Sequence, residues 1–138
     1  MKIVLDTNVL LVSFSGKSAL HWVWESLLDN RFTLCATTDI LLEYEEIIGR
    51  HLEQEMADAV MDAIIDLPNL QLVSKYIFWH LIEKDPDDNK FVDCAIACNA
   101  KYIVSEDRHF NVLKEIPFPK VDVIGVEEFR QEIETLKR

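Results

Sequence analysis

The stretch Met1–Leu10, MKIVLDTNVL, decides the fold. Lys2–Leu5 is a short, continuous apolar run that stops at Asp6. Such a run suits a strand buried on both faces, the usual state of a parallel strand, better than one with a wet face. Four more runs of this kind follow, at 32–36, 70–73, 101–105 and 121–124. Helical patterns separate them, over Ser18–Asp29, Ile40–Ile48, His51–Asp66, Asn89–Asn99 and Val126–Leu136, with a short helical stretch at His109–Leu113. Strands alternating with helices predict βαβ units and a parallel sheet between two helical layers, with right-handed crossovers. The expected class is a three-layer α/β sandwich.

Within the helices, Gly49 reads as a stop, and Leu52, Met56, Val60, Ala63 and Leu67 read as one inward face. The 138 residues fit one domain, 1–138. A hydrophobic content of 49% with 3 Gly and 4 Pro excludes a disordered or low-complexity chain. No apolar run approaches the ~18 residues of a membrane span. Lys2 and Asp6 interrupt the first residues too early for a signal peptide. Cys35, Cys94 and Cys98 form no disulfide framework, so they are expected as core thiols in a reducing, cytoplasmic setting.

In an open parallel sheet, ligands bind beyond the carboxyl ends of the strands. Asp6 follows the first strand directly, and Asp107 follows the fourth by way of Ser105-Glu106. Helices that precede a strand begin at this same edge, which brings in Glu43 and Asp88. Glu43 falls on the stripe Ile40, Tyr44, Ile47, and Asp88 is in line with Phe91, Ala95 and Cys98. A carboxylate on an apolar face is costly unless it is paired or metal-bound. With no strong Lys or Arg expected among them, the four acids repel one another, and a divalent cation would remove that repulsion. All-oxygen ligation suits Mg²⁺ or Mn²⁺ rather than zinc. Taken singly, the acids have ordinary readings as helix caps, turn residues or solvated positions. Their convergence from four segments gives them weight.

Four segments in order resemble the PIN-domain family of metal-dependent nucleases, which includes the VapC-like toxins of toxin–antitoxin systems. MKIVLDTNVL resembles the opening strand with its first acid. Thr38–Ile48, TDILLEYEEII, resembles the helix carrying the second. Asp85–Asn99, DPDDNKFVDCAIACN, resembles the helix carrying the third, in a branch with a DPDD-type turn. Lys101–Phe110, KYIVSEDRHF, resembles the strand and Ser-x-Asp turn carrying the fourth. The resemblance covers essentially the whole chain.

It implies a five-stranded parallel sheet of order 3-2-1-4-5 and Mg²⁺- or Mn²⁺-dependent hydrolysis of RNA to a 5′-phosphate and a 3′-hydroxyl. The catalytic and metal-binding acids carried over are Asp6, Glu43, Asp88 and Asp107, with Asn8 and Ser105 supporting them by hydrogen bonds. Asp88 is preferred as third acid because it leaves Phe91 and Ala95 on the buried face; Asp87 and Asp93 remain alternatives. The resemblance also implies a homodimer and a small antitoxin partner. Trp22, Trp24, Phe78 and Trp79 could serve such interfaces or belong to the core.

The net charge of −11, from 14 basic and 25 acidic residues, argues against nucleic-acid binding by bulk electrostatics. Lys17, Lys90, Arg108, His109 and Lys114 are the candidate phosphate contacts. The four histidines show no metal-ligand spacing. The chain has no Gly-rich phosphate loop. Asn8 stands where a haloacid-dehalogenase-type phosphatase would carry a second Asp, and the paired acids of a receiver domain are missing. The competing reading is a catalytically weak PIN-like module that binds RNA or protein. Retention of all four acids favours the enzyme. DNA or structured RNA as substrate is a third reading.

Overall fold

The computed structural model describes residues 1–136. Five strands form one parallel sheet: β1 (Lys2–Leu5), β2 (Thr33–Ala36), β3 (Leu70–Leu72), β4 (Tyr102–Val104) and β5 (Val123–Ile124). Their order is β3-β2-β1-β4-β5, as expected. In register, Ile3 faces Leu34 on one side and Tyr102 on the other, and Leu5 faces Val104. Successive strand residues point to opposite faces. Ile3, Val4 and Leu5 are all fully buried, as are Leu34, Cys35 and Ala36, so both faces of the central strands are covered. Each of the buried Ile, Val and Leu side chains contributes roughly 1.5–3 kcal/mol.

Among the described residues, six α-helices accompany the sheet: α1 (Thr7–Ser13), α2 (His21–Leu28), α3 (Thr38–His51), α4 (Gln54–Ile65), α5 (Asn89–Cys98) and α6 (Val126–Leu136). Helix α5 lies against β1, β2 and β4. It ends at Asn99, whose left-handed backbone (φ 55°) is a common helix stop. Phe129 of α6 packs edge-to-face on Phe32, 5.2 Å between ring centres, and lies beside Trp22. Trp22 and Trp24 are half-buried against the core, whereas Phe78 is exposed. The three cysteines are free and buried. Among the described residues, no helix is long and apolar enough to cross a membrane.

Four local expectations change. Helix α1 follows Asp6 directly, where the sequence suggested only a connection; Val9 and Leu10 pack inward and Thr7 is buried. Gly49 does not end α3, which continues to His51. A helical Gly costs up to about 1 kcal/mol relative to Ala, and fourteen residues of helix with a buried face absorb that. The buried face of α4 is Ala57, Val60, Met61 and Ile64; Met56 is exposed and Ala63 half-exposed. The same rotation applies in α3, where Ile48 rather than Ile47 completes the buried stripe with Ile40 and Tyr44.

Candidate active site

Strand β1 delivers Asp6 to the carboxyl edge of the sheet, where its backbone N–H donates to Val104 O and extends the ladder with β4 by one rung (3.1 Å). Next to it, the Ser105 hydroxyl donates to Asp6 Oδ2 (2.7 Å) and accepts from the Asp107 backbone N–H (2.9 Å). One serine thus fixes both acids. Asp107 Oδ1 in turn accepts the His109 N–H (2.9 Å), so Asp107 also carries out the turn chemistry expected of an Asp there. Asn8 is exposed at the same edge and lines a cavity with Asp6 and Asp107; among the described residues no hydrogen bond engages its side chain.

Helix α3 is tied to the end of β1 by its buried Tyr44, whose hydroxyl donates to Leu5 O (2.6 Å). That anchor sets the position of Glu43 one residue earlier. Glu43 does not stand free. Thr7 Oγ1 donates to Glu43 Oε2, and Lys90 Nζ lies 2.7 Å from Glu43 Oε1. The expected absence of cations among the acids is therefore corrected. Lys90 is two residues past Asp88 on α5, and its long side chain reaches across to α3. Burial alone would lower the Lys90 pKa, but Glu43, with Asp87 and Asp39, holds it above its usual value.

Asp88 closes the short 3₁₀ turn Pro86–Asp88, immediately before α5. It occupies the N-cap position, yet its side chain makes no capping hydrogen bond. Its carboxylate is buried, and Oδ2 has no hydrogen-bond partner. An orphaned buried oxygen of this kind is uncommon and destabilising. His109 Nδ1 sits 3.4 Å from Asp88 Oδ2 without making a hydrogen bond, and equally 3.4 Å from Asp85 Oδ2 and Asp107 Oδ1. Burial first, then the charges of Asp85, Asp107 and Asp6, push Asp88 up to about 6. Burial also raises Asp6, helped by Asp107 and Glu43 and opposed by the Ser105 hydrogen bond.

The three third-acid candidates have different surroundings. Asp87 projects into solvent, its side chain 85% exposed. Asp93 is 3% exposed and accepts the Trp79 backbone N–H (3.1 Å), away from Asp6 and Asp107. Asp88 shares the field of Asp6 and Asp107. One atom each from Asp85, Asp88 and His109 come together within 4.8 Å, a spacing that can hold a cation. Asp85 and His109 were not among the acids selected from sequence. The DPDD turn and the position of His109 just beyond Asp107 were the available signals. Thr7 was missed because it reads as connection rather than helix.

These donors fit a divalent metal. They are carboxylates with one imidazole, they repel one another, and one buried oxygen lacks any partner. The sequence matches the PIN domain family over residues 2–109, a span that contains Asp6, Glu43, Asp88 and Asp107. The chain belongs to the PIN-domain family. It shares with that family its class of activity, that of nucleases. This PIN domain also superposes on a chain in the crystal structure of VapBC2 from Rickettsia felis bound to a DNA fragment from their promoter. The TM-score is 0.62 at 18% sequence identity, covering 91% of this chain and 98% of that one. At that identity the likeness establishes the fold. No curated protein matches the sequence.

Proposed function

We propose that this PIN domain is a Mg²⁺- or Mn²⁺-dependent endoribonuclease and the toxin of a toxin–antitoxin pair. The observation that carries the reading is the orphaned, buried Asp88 Oδ2 beside Asp85, Asp107 and His109, in the field of an Asp6 fixed by Ser105. Asp6, Asp88 and Asp107 are the proposed principal metal-holding acids, with Glu43 binding directly or through water. When bound, a divalent cation supplies an activated water and neutralises charge developing on the phosphodiester.

The chain's own residues do the rest. Ser105 keeps Asp6 oriented by donating to Oδ2, which leaves the other oxygen of that carboxylate for a ligand. His109 Nδ1 lies 3.4 Å from three carboxylates at the edge of the site, where it can serve as a further ligand atom beside Asp85 and Asp88. Lys90 offsets the charge of Glu43 and supplies a cation near the incoming phosphate. The surrounding acidity means that RNA engages at these few points rather than over a broad basic surface.

The test is cleavage of a mixed single-stranded RNA pool with Mn²⁺ or Mg²⁺ against EDTA, for the natural chain and Asp6→Ala. Metal-dependent cleavage that disappears in the variant is the expected result. Absence of both cleavage and metal binding would overturn the enzyme in favour of a PIN-like binding module. A small antitoxin partner, a homodimer and a cytoplasmic location belong to the same proposal. The likeness to a VapBC2 structure supports the partner, and light scattering of the protein alone and with a co-expressed neighbouring gene product checks the assembly.

A further inference from the structure

A second concavity, of about 240 Å³, lies beside the acid edge, between the starts of α3 and α5 and the segment 73–85 that connects β3 to α5. It is smaller than the ~300–1,000 Å³ of sites for drug-sized ligands and suits one ring system. Its lining includes Lys75, Phe78, Asp93 and Lys90. The segment is pinned in place. Asn89 both accepts from Ile82 N–H (2.9 Å) and donates to Ile82 O (2.8 Å), and Asp93 accepts the Trp79 N–H.

We propose that this concavity is a nucleobase subsite, selective for guanine, that seats a nucleotide adjoining the scissile phosphate. The proposal rests on the nuclease reading for the identity of its ligand.

Phe78 is 58% exposed at a pocket wall, unlike every fully buried Phe of the core. An exposed aromatic face beside a cation is a stacking platform for a base. Lys75 Nζ lies over the Phe78 ring, 5.2 Å from its centre, so a stacking base takes that face and meets the ammonium at its edge. It pairs with Asp39 and retains further N–H donors for the acceptor atoms of a stacked base. Asp93, almost wholly buried, uses Oδ1 for Trp79, and a carboxylate has acceptor capacity beyond one bond. Guanine offers O6 and N7 to a lysine and N–H donors on its opposite edge to a carboxylate. Lys90 joins the two regions: it lines this concavity and touches Glu43 at 2.7 Å. A strand whose phosphate meets the acids therefore passes Lys90 on its way to Phe78.

Other ligands fit less well. A free anion meets Asp39, Asp87 and Asp93 on the same lining, which repel it. A metal meets Lys75 and Lys90 on the same lining, whose charges oppose a cation. An apolar ligand would strand charged groups.

The experiment is a titration of the ¹⁵N-labelled full chain with GMP, AMP, CMP and UMP in EDTA, repeated with Mg²⁺. The Trp79 backbone amide, held by Asp93, is the reporter. Expected is a saturable shift with GMP at an affinity at least about fivefold above the other three, and at least about fivefold loss in Phe78→Ala. Phe78 is exposed, so the variant should keep its fold, which its remaining resonances verify. Asp93→Asn should remove the preference for guanine while retaining stacking. No saturable shift at Trp79, equal binding of all four nucleotides, or equal binding by Phe78→Ala overturns the subsite. GMP binding as stated by a protein that cleaves no RNA would retain the subsite and sink the nuclease. RNA cleavage with the same base preference in natural chain and Phe78→Ala would retain the nuclease and sink the subsite.

Discussion

Two acidic regions lie side by side near the starts of α3 and α5, and they are built differently. Around Asp39 and Asp93, each carboxylate has a partner: Asp39 takes Lys75 and the Thr37 hydroxyl, and Asp93 takes the Trp79 N–H. Around Asp6, Asp85, Asp88 and Asp107, no lysine or arginine among the described residues pairs with the acids: Ser105 donates to Asp6 and the His109 N–H to Asp107, one imidazole lies 3.4 Å from three of the carboxylates, and Asp88 Oδ2 has no hydrogen bond. The sharpest ionisation contrast is between Asp39 and Asp88. Burial alone would raise Asp39, but Lys75 and Thr37 bring it below its ordinary value, whereas Asp88 rises to about 6; Asp93 is raised by burial despite its bond to Trp79. Paired acids stabilise the fold they sit in. Acids left unpaired destabilise it until something positive arrives.

The largest effect that can break this comparison is on cleavage. Asp6→Ala should reduce metal-dependent RNA cleavage by on the order of 10²–10³-fold or more, read from initial rates on a labelled RNA. Asp39→Ala, if it matched that loss through failed metal binding, would erase the distinction between the two regions.

Next in size is the effect of Asp88 on stability. Its folded pKa, about 6, is above the ordinary 3.8, so the folded chain holds a proton that the unfolded chain releases between these values. Stability of the metal-free protein therefore falls as pH rises from about 4 to 6 and stays lower above that window. The upper bound is on the order of 3 kcal/mol. Asp88→Asn removes the charge and should raise the metal-free melting temperature at pH 7 by several °C while abolishing cleavage. A lower melting temperature would show that the carboxylate is well satisfied after all. Adding Mn²⁺ should stabilise the natural chain and not the variant.

Ser105→Ala sharpens the account inside the unpaired region. The serine orients Asp6 and Asp107 without being a ligand, so its loss should weaken Mn²⁺ affinity by about 10- to 100-fold with the fold intact. The smallest effect belongs to the paired region. Asp39→Asn should lower stability by less than about 1 kcal/mol, because the ion pair with Lys75 is partly exposed, and the loss should shrink in high salt.

The contrast also marks what the sequence could reveal. Strands were legible because buried parallel strands are apolar without interruption, and the strand edge then singled out Asp6 and Asp107. Asp88 was legible through its alignment with Phe91, Ala95 and Cys98, all buried here. Helix α1 was not, because seven residues opening with Thr-Asn after a strand carry little helical signal; its formation follows from burial of Val9 and Leu10. The face of α4 was misassigned because Ala57, a small residue, is what touches the core where Met56 had seemed the natural choice. Pairing was the hardest to see. Nothing in the order of residues says that Lys90 turns toward Glu43, that Thr7 donates to the same carboxylate, or that His109 meets Asp85 and Asp88 as well as its neighbour Asp107. Those contacts depend on side-chain reach across elements rather than on any period along one.

The most direct test of the central claim is Mn²⁺ binding by calorimetry to the natural chain, Asp88→Asn and Asp39→Asn at pH 7. The account predicts binding by the natural chain, at least about tenfold weaker binding by Asp88→Asn, and unchanged binding by Asp39→Asn. Equal affinity in the natural chain and Asp88→Asn, or a loss confined to Asp39→Asn, would contradict it.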